Sequence, residues 1–322
     1  MVLLGAQAHM GAMATDTIQP QVDSKGAQRG FLLAFLAYFL WGLLPLYMKA
    51  VAYLPLVEVI AHRIIWSVPI AAVVLVWLGR TADFKSAFRS PRMLAMGALT
   101  ATLITINWSL YVWAIAVDRT VETALGYYIN PLVNVMVGAL LLGEKLDKLQ
   151  MAAVALAAIA VAVLTYESGQ LPWVSLVLAF SFASYGFCRK TLPIGPSQGF
   201  LLEVIILAIP ASIYVAWLLA SGQDHLVSGS WTDRALLLGC GPVTAIPLLM
   251  FAFGAKLLRF STLGIMQYIA PTMVFLIAVF VFNEPFGMID AAAFGMIWVA
   301  LAMYSWSMLR HKAPAPPIVP NQ

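Results

Sequence analysis

The stretch Leu125-Gly126-Tyr127-Tyr128-Ile129-Asn130-Pro131 is followed by an apolar run that ends at Gly143-Glu144. Its Tyr-Ile-x-Pro pattern recurs in Ile265-Met266-Gln267-Tyr268-Ile269-Ala270-Pro271, which is followed by an apolar run to Asn283-Glu284. The paired tyrosines, prolines and glutamates share one constant offset in numbering (268 − 128, 271 − 131 and 284 − 144 are equal). A tyrosine, a proline and a glutamate repeated without a gap predict that the chain is a duplicated unit. Each unit then contains this helix.

Composition places the chain in a membrane. Of 322 residues, 62% are hydrophobic and 10% are charged, and the mean hydropathy is +0.90. Soluble domains carry about 25% charged residues, so these side chains cannot cover a globule with polar surface. Apolar runs of about 20 residues, the length that crosses a bilayer's hydrocarbon core, recur along the sequence. The sequence therefore predicts an all-α polytopic membrane protein.

Ten transmembrane helices are predicted, five in each unit. Their approximate bounds are 30–50, 56–78, 93–117, 121–143, 149–165, 171–188, 199–220, 235–258, 261–282 and 285–309. We expect a cytoplasmic N-terminal tail over 1–29 and a first five-helix repeat over 30–166. A second five-helix repeat follows over 171–309, and a cytoplasmic C-terminal tail covers 310–322.

The basic residues orient these helices. With a cytoplasmic amino terminus, Lys49, Arg119 and Arg234 fall outside and Arg63 falls within a span, so 14 of the 18 Lys and Arg lie inside (18 less these four). Cytoplasmic loops of membrane proteins carry such an excess, so both termini are predicted to be cytoplasmic. An odd number of helices per unit makes the two units inverted repeats, an architecture that supports alternating access.

Several classes of function are disfavoured. The pI near 9.1 reflects basic loops that set topology, so no nucleic-acid partner is expected. Cys188 and Cys240 both lie in apolar spans, which argues against a disulfide or a metal site. Without a Walker loop, HExxH or GxGxxG motif, we expect no enzyme, no cofactor and no ATP-driven pump. An intramembrane enzyme using Glu58 and His62, or a scaffold protein, stays open until solute flux is measured in proteoliposomes.

Three ionisable residues in the second span form the first part of the candidate site. Glu58 and His62 are four residues apart and share a helix face, with Arg63 on the adjoining flank. Ionisable groups within a membrane are costly and usually face a cavity or one another. The alternative is an interfacial charge cluster that anchors the helix end.

Polar stripes in the third and fourth spans form the second part. Asn107 and Tyr111 are one turn apart, and Tyr127, Asn130 and Asn134 share one stripe. Such stripes either line water or hold helices together. The second unit has apolar residues at four of these positions, which favours a substrate pathway: Pro247, Phe251, Ala270 and Val274. That unit contributes Thr244, Gln267 and Tyr268 to the candidate cavity, and aromatic residues such as Trp108 supply apolar faces.

Three further glutamates are interpreted separately. Glu203 is a further buried-carboxylate candidate in the seventh span. Glu144 and Glu284 are expected to bind the amino-terminal N–H groups of the helix that follows each of them, rather than a ligand. Pro131 and Pro271 free backbone carbonyls within the membrane and predict kinks.

The pattern as a whole resembles a known family. Ten spans in two halves, each fourth helix ending in glutamate, resemble the EamA branch of the drug/metabolite transporter superfamily. The segments that resemble its RarD-type permeases are 41–45, 58–63, 107–109, 125–132 and 267–271, within a match from about Arg29 to Leu309. The resemblance implies a permease of the bacterial inner membrane, usually an exporter, with a cavity between the halves.

We therefore expect a small-molecule substrate and a lipid bilayer as partners, with a homodimer left open. Energy coupling is predicted to use protons, because His62 titrates near neutrality when unperturbed. In this hypothesis Glu58 and His62 exchange a proton while Arg63 holds the carboxylate between turns. An uncoupled, facilitative carrier is the alternative.

Overall fold

A computed structural model describes residues 24–77, 90–142, 146–191, 196–255, 257–258 and 260–310. These residues form eleven α-helices and no strand. In chain order they are α1 (Ser24–Ala50), α2 (Leu56–Trp77), α3 (Pro91–Ala116), α4 (Thr120–Leu142), α5 (Lys148–Ser168), α6 (Trp173–Thr191), α7 (Pro196–Ser221), α8 (Trp231–Ala255), α9 (Phe260–Met266), α10 (Ile269–Phe280) and α11 (Met288–Arg310).

Eight helical stretches of the described residues are long and apolar enough to cross a membrane. They are α1, α2, α3, α5, α7, α8, α11 and the stretch Thr262–Phe280, which contains most of α9 and all of α10. The apolar part of α6 is shorter, and α4, which carries Asn130 and Asn134, is not among the eight. Large apolar side chains such as Trp77 and Leu140 point outward, as lipid-facing residues do. The chain is an all-α multi-pass membrane protein, while the count of ten spans stays a prediction.

Local capping signals set the bounds of several helices. Asp147 accepts from the N–H of Gln150 at 2.7 Å, and the Gln150 side chain accepts from the N–H of Asp147 at 3.2 Å. This reciprocal pair satisfies two of the free N–H groups that begin α5. Gly169 follows the helix with a left-handed φ of 65°, which a residue without a side chain adopts at no steric cost.

The ninth predicted span is broken. Gln267 and Tyr268 form a turn between α9 and α10, where the sequence predicted one continuous helix over 261–282. Pro271 has no N–H to donate to the Gln267 carbonyl four residues earlier, which permits the break. The equivalent Pro131 is accommodated inside the continuous helix α4. The proline permits an interruption, and the surrounding packing decides whether one forms.

The helices before and after Gly169 are interleaved. α2 packs on α7, α5 on α11 and α4 on α10, while α1 packs on α8 and α10, and α6 packs on α3 and α4. In addition α2 packs on α8, and α3 on α7. α3 and α8 begin at the sequence offset of the repeat from each other, and so do α5 and α11. The first described residues of α7 and α9 lie at the same offset from the starts of α2 and α4. With α1 and α6 paired as the first helix of each half, exchanging every helix for its counterpart reproduces all of these contacts.

Small residues allow the closest of these contacts. A Cβ atom on Gly241 of α8 would lie 2.5 Å from the backbone oxygen of Trp66 on α2. A Cβ atom on Gly126 of α4 would lie 2.8 Å from the carbonyl oxygen of Ser175 on α6. Real Cβ atoms do not approach so closely, so both contacts require glycine. Small residues let membrane helices bring their backbones together where lipid supplies no hydrophobic driving force.

Glu284 binds a helix terminus, although not the one that was predicted. Its carboxylate accepts from the backbone N–H groups of Thr120 at 2.7 Å and Val121 at 2.8 Å. These groups begin α4, whereas the next helix, α11, begins at Met288. The prediction of the type of contact was right, and the helix was wrong because interleaving brings a sequence-distant terminus closer. Glu144 lies outside the described residues.

Candidate functional site

Arg63 joins α2 to α3 and α8. Its Nε donates to Thr244 Oγ1 at 2.8 Å, and its guanidinium carbon lies 4.9 Å from the centre of the Trp108 ring. Thr244 Oγ1 donates in turn to the carbonyl of Cys240 at 2.8 Å. Arg63 is 3% exposed, and its Nη1 has no hydrogen-bond partner among the described residues. Two of the predicted site residues, Arg63 and Thr244, therefore meet, and one arm of the guanidinium is unpaired.

Asn107 is the centre of a polar network between α3, α4 and α6. Its Nδ2 donates to the Leu178 carbonyl and to Ser181 Oγ, both at 3.0 Å. Its Oδ1 accepts from the Tyr127 hydroxyl at 3.2 Å, and the Tyr127 ring lies 5.8 Å from that of Tyr111. Three predicted site residues thus come together. The Asn107 amide is used for contacts between helices, and Tyr111 is 4% exposed.

The Glu58 carboxylate binds a residue that was not predicted. It is fully buried and accepts from the backbone N–H of His225 at 2.8 Å, while its other oxygen lies 2.6 Å from His225 Nδ1. His225 belongs to the segment between α7 and α8, and 37% of its side chain is exposed. Arg63 points instead to Thr244, so the structure shows no hydrogen bond between Arg63 and Glu58. These contacts do not support the prediction that Arg63 holds the Glu58 carboxylate.

The segment that carries His225 is ordered by Asp224. The Asp224 carboxylate accepts from the N–H groups of Val227 at 2.8 Å and Ser228 at 3.0 Å. Burial raises the pKa of this carboxyl, but the hydrogen bonds from Ser228 and Val227 outweigh it, so the pKa lies below its ordinary value. A charged Asp224 therefore holds the segment in place over Glu58.

His62 lies on α2 one turn from Glu58. Its Nδ1 accepts from the indole N–H of Trp66 at 3.1 Å, so a neutral imidazole carries its proton on Nε2. Nε2 is buried and has no hydrogen-bond partner in the part of the chain that the structure describes. His62 is thus placed near Glu58, as predicted, and its free nitrogen is available to donate.

The remaining polar candidates surround the middle of α4 and the break between α9 and α10. Asn130 is 7% exposed and its Oδ1 is unpaired within the described ranges, whereas Asn134 one turn later is exposed. The Gln267 side chain donates to the Gly264 carbonyl at 2.9 Å. Tyr268 lines an open groove of about 440 Å³ that also contains Tyr128, Thr272, Trp298 and Ser305. None of the side-chain contacts described above joins these residues to Arg63 or to Asn107.

Glu203, the further carboxylate candidate, is paired. It is 2% exposed, lies 3.5 Å from Arg189 Nε and accepts from the Tyr185 hydroxyl at 3.1 Å. It connects α6 with α7.

Sequence reasoning missed His225 and the α6 partners of Asn107. His225 was detectable only as a titratable residue in the longest predicted loop, 221–233, and nothing in its local sequence points to Glu58. Ser181 gives no signal, because a single serine in an apolar span is ordinary.

The mostly apolar helices of the described residues, with buried ionisable groups between them, define a multi-pass membrane protein with a polar interior. Residues 28–166 match the EamA-like transporter family. Protein RarD of Streptomyces exfoliatus is 41% identical over 281 residues, which is 87% of this chain and 89% of that protein. Protein RarD of Escherichia coli (strain K12) is 40% identical over 283 residues, 88% of this chain and 96% of that protein.

The chain belongs to the EamA-like transporter family and, within it, to the RarD type. It is a multi-pass bacterial membrane protein of the drug/metabolite transporter class. A solved structure described as "Crystal structure of protein" shares the fold at a TM-score of 0.53 and 18% identity, covering 87% of this chain and 99% of that one.

Proposed function

We propose that this protein is a small-molecule exporter of the bacterial inner membrane that works by alternating access. It crosses the membrane ten times as two inverted five-helix repeats, with both termini in the cytoplasm. It moves its solute unchanged and is not an enzyme. One observation carries the proposal: the described helices that the offset of the repeat relates are in register, and exchanging the halves reproduces the interleaved contacts given for the fold.

This exchange has a mechanical meaning. If two halves of similar fold exchange conformations, a structure open to one side becomes a structure open to the other, around a site at their interface. A solute that binds at the interface is then released on the opposite side. The polar interior that joins α2, α3, α4 and α8 supplies a site in the required place.

Cysteine labelling from both sides of the membrane tests alternating access. Cys188 and Cys240 are first replaced by alanine, and a single cysteine is placed at Asn130. Asn130 is buried on the central helix α4, and its side-chain oxygen is unpaired. A carrier that opens to each side in turn exposes such a position to both sides. We therefore expect an impermeant thiol reagent to label the cysteine at position 130 in right-side-out and in inside-out vesicles. Leu140→Cys on the outer surface of the same helix, 75% exposed, is the lipid-facing control. Labelling of position 130 from one side only excludes alternating access.

Proton coupling is the second part of the proposal. Glu58, His62, Asp224 and His225 are the ionisable groups around the outer end of α2, and Glu58 and His225 are in direct contact. A proton shared by Glu58 and the histidines changes the charge of this end of the helix, so its gain and loss can bias which side opens. The competing proposal is an uncoupled carrier, whose solute flux is indifferent to an imposed pH gradient.

A further inference from the structure

Arg63 differs from the other buried charged residues in the part of the chain that is described. Each of the buried carboxylates has charged or N–H partners: Glu58 has His225, Glu203 has Arg189, Asp224 has Val227 and Ser228, and Glu284 has Thr120 and Val121. Arg63 has a threonine hydroxyl and an indole face, both neutral. Its Nη1 is buried without a partner among these residues.

An uncompensated arginine is an unfavourable arrangement inside a protein. The guanidinium does not lose its proton under physiological conditions, so it cannot relieve its burial by becoming neutral. A buried donor without an acceptor costs about 1–3 kcal/mol, and more when the donor is charged. Cation–π contact with Trp108 recovers only part of this. An anionic acceptor at the unpaired arm would satisfy the free donor and compensate the buried charge together.

The described surroundings of Arg63 do not contain that acceptor. The ionisable groups there that interact with it electrostatically are Cys240, Tyr111, Tyr127 and Tyr47, and no carboxylate is among them. The Trp108 ring lies 4.9 Å from the guanidinium carbon, and three tyrosines and a thiol are near enough to interact with the charge. Such surroundings suit the apolar part of a ligand whose charged part is anionic.

The second half of the chain provides an internal comparison. Glu203 on α7 occupies the position equivalent to Arg63 on α2 in the repeat, and it is paired with Arg189. The two equivalent positions thus carry opposite charges, and of the two only the carboxylate has a described partner of opposite sign.

We propose that Arg63 binds the carboxylate of an organic anion, and that Trp108, Tyr111 and Tyr127 contact the apolar or aromatic part of that solute. This inference rests on the proposed carrier function and names the substrate class of its site. Nη1 supplies the free donor for the carboxylate, while Nε stays on Thr244. Because Arg63 is buried, the ligand enters when the helices around it separate.

Equilibrium binding to the purified full-length protein tests this proposal without any transport. The protein is held in nonionic detergent, so that anionic lipid does not compete, and binding is measured by isothermal titration calorimetry. The probes are phenylacetate, its neutral isostere phenylacetamide, the cation phenethylammonium, and acetate. We expect phenylacetate to bind at least about tenfold more tightly than phenylacetamide, as a charged hydrogen bond implies. Acetate should bind more weakly, and the cation should not bind.

Two results on the unmodified protein overturn the proposal. One is equal or tighter binding of phenylacetamide or phenethylammonium relative to phenylacetate. The other is the absence of phenylacetate binding at millimolar concentration. Neither result affects the two-sided labelling of position 130, so failure of the anion site and failure of the carrier proposal are distinguishable.

Variants then assign the site. Arg63→Met keeps an unbranched apolar stem and removes the charged guanidinium, so phenylacetate and phenylacetamide should bind within about twofold of each other. Lys49→Met is the matched control, because Lys49 is partly exposed and paired with Asp118 at 2.5 Å, and it should keep the preference for the anion. A preference that survives in Arg63→Met places the anion elsewhere and overturns the assignment. If that variant does not fold, Arg63→Lys serves instead, with a several-fold weaker affinity expected for phenylacetate.

Discussion

The carboxylate of Glu284 lies 2.7 Å from the backbone N–H of Thr120, across 164 positions of sequence. With Val121 it satisfies two of the free N–H groups that begin α4, and its charge lies at the positive end of the helix dipole. The loop before α11 is thereby attached to a central helix of the other half. This contact is one of the specific links that hold the interleaved halves in register.

Removing the Glu284 carboxylate should destabilise the protein. For Glu284→Ala we expect a loss of about 1–3 kcal/mol, because two buried N–H groups lose their acceptor. Thermal unfolding of the purified protein in detergent measures the change. Asp290→Asn is the control, since Asp290 caps the exposed N–H of Gly287 and should have a smaller effect. Equal melting temperatures for Glu284→Ala and the unmodified protein contradict this prediction.

A methyl group at Gly241 should separate α2 from α8. The added Cβ would lie 2.4 Å from Trp66 Cβ and 2.5 Å from its backbone oxygen, so a helix must move. Overpacking of this kind costs about 1–3 kcal/mol. Gly295→Ala on α11 is the control, because no atom of the described residues lies within 4 Å of its added Cβ and alanine favours a helix. The same melting temperature for both variants argues against the close contact.

Acid should release the segment around Asp224. The pKa of this carboxyl is depressed in the folded protein, so its contribution is present above the unfolded pKa and is lost as pH falls through the folded value. The unfolded value is about 3.9. Hydrogen exchange at the amides of Val227 and Ser228 should therefore accelerate, after correction for intrinsic rates, only below about pH 4. Asp224→Ala, which removes the acceptor, should show fast exchange already at neutral pH, and slow exchange in this variant contradicts the assigned contacts.

Replacing His62 by glutamine tests proton coupling. The glutamine amide keeps the polarity of the side chain and removes its titration, so flux should lose its response to an imposed pH gradient. The solute is one identified by a thermal-shift screen of amino acids, antibiotics and quaternary amines. His225→Gln is measured in parallel, because His225 rather than Arg63 contacts Glu58. If His62→Gln transports as the parent does, with the same dependence on the gradient, His62 is not the coupling group.

The topology has a direct test. A reporter that is active only in the periplasm, fused after Leu309, should be silent, because the bias of basic residues predicts that both termini are inside. A fusion after Ser228, in the segment between α7 and α8, should be active. Activity after Leu309 excludes the predicted orientation and with it the inverted-repeat proposal.

The sequence alone determined the class, and it predicted most of the helices and the offset that relates them. Apolar runs and the local i to i−4 hydrogen bond decide where a helix forms, and both are legible in a short window. The predicted second span, 56–78, begins at the same residue as α2 (Leu56–Trp77), and residue 78 lies outside the described ranges. Neighbours on adjacent spans were partly predictable too, since Asn107, Tyr111 and Tyr127 lie together.

Partners across the fold were decided only by tertiary structure. Glu58 binds His225 and Arg63 binds Thr244, at separations of 167 and 181 residues. The one-turn spacing of Glu58 and His62 predicted a shared face, but a face specifies no partner. Which group meets a buried charge depends on how the helices pack, and the interleaving of the halves brought the terminus of α4 to Glu284. In the same packing Arg63 lies over the Trp108 ring, and no carboxylate of the described residues is among the ionisable groups that interact with it.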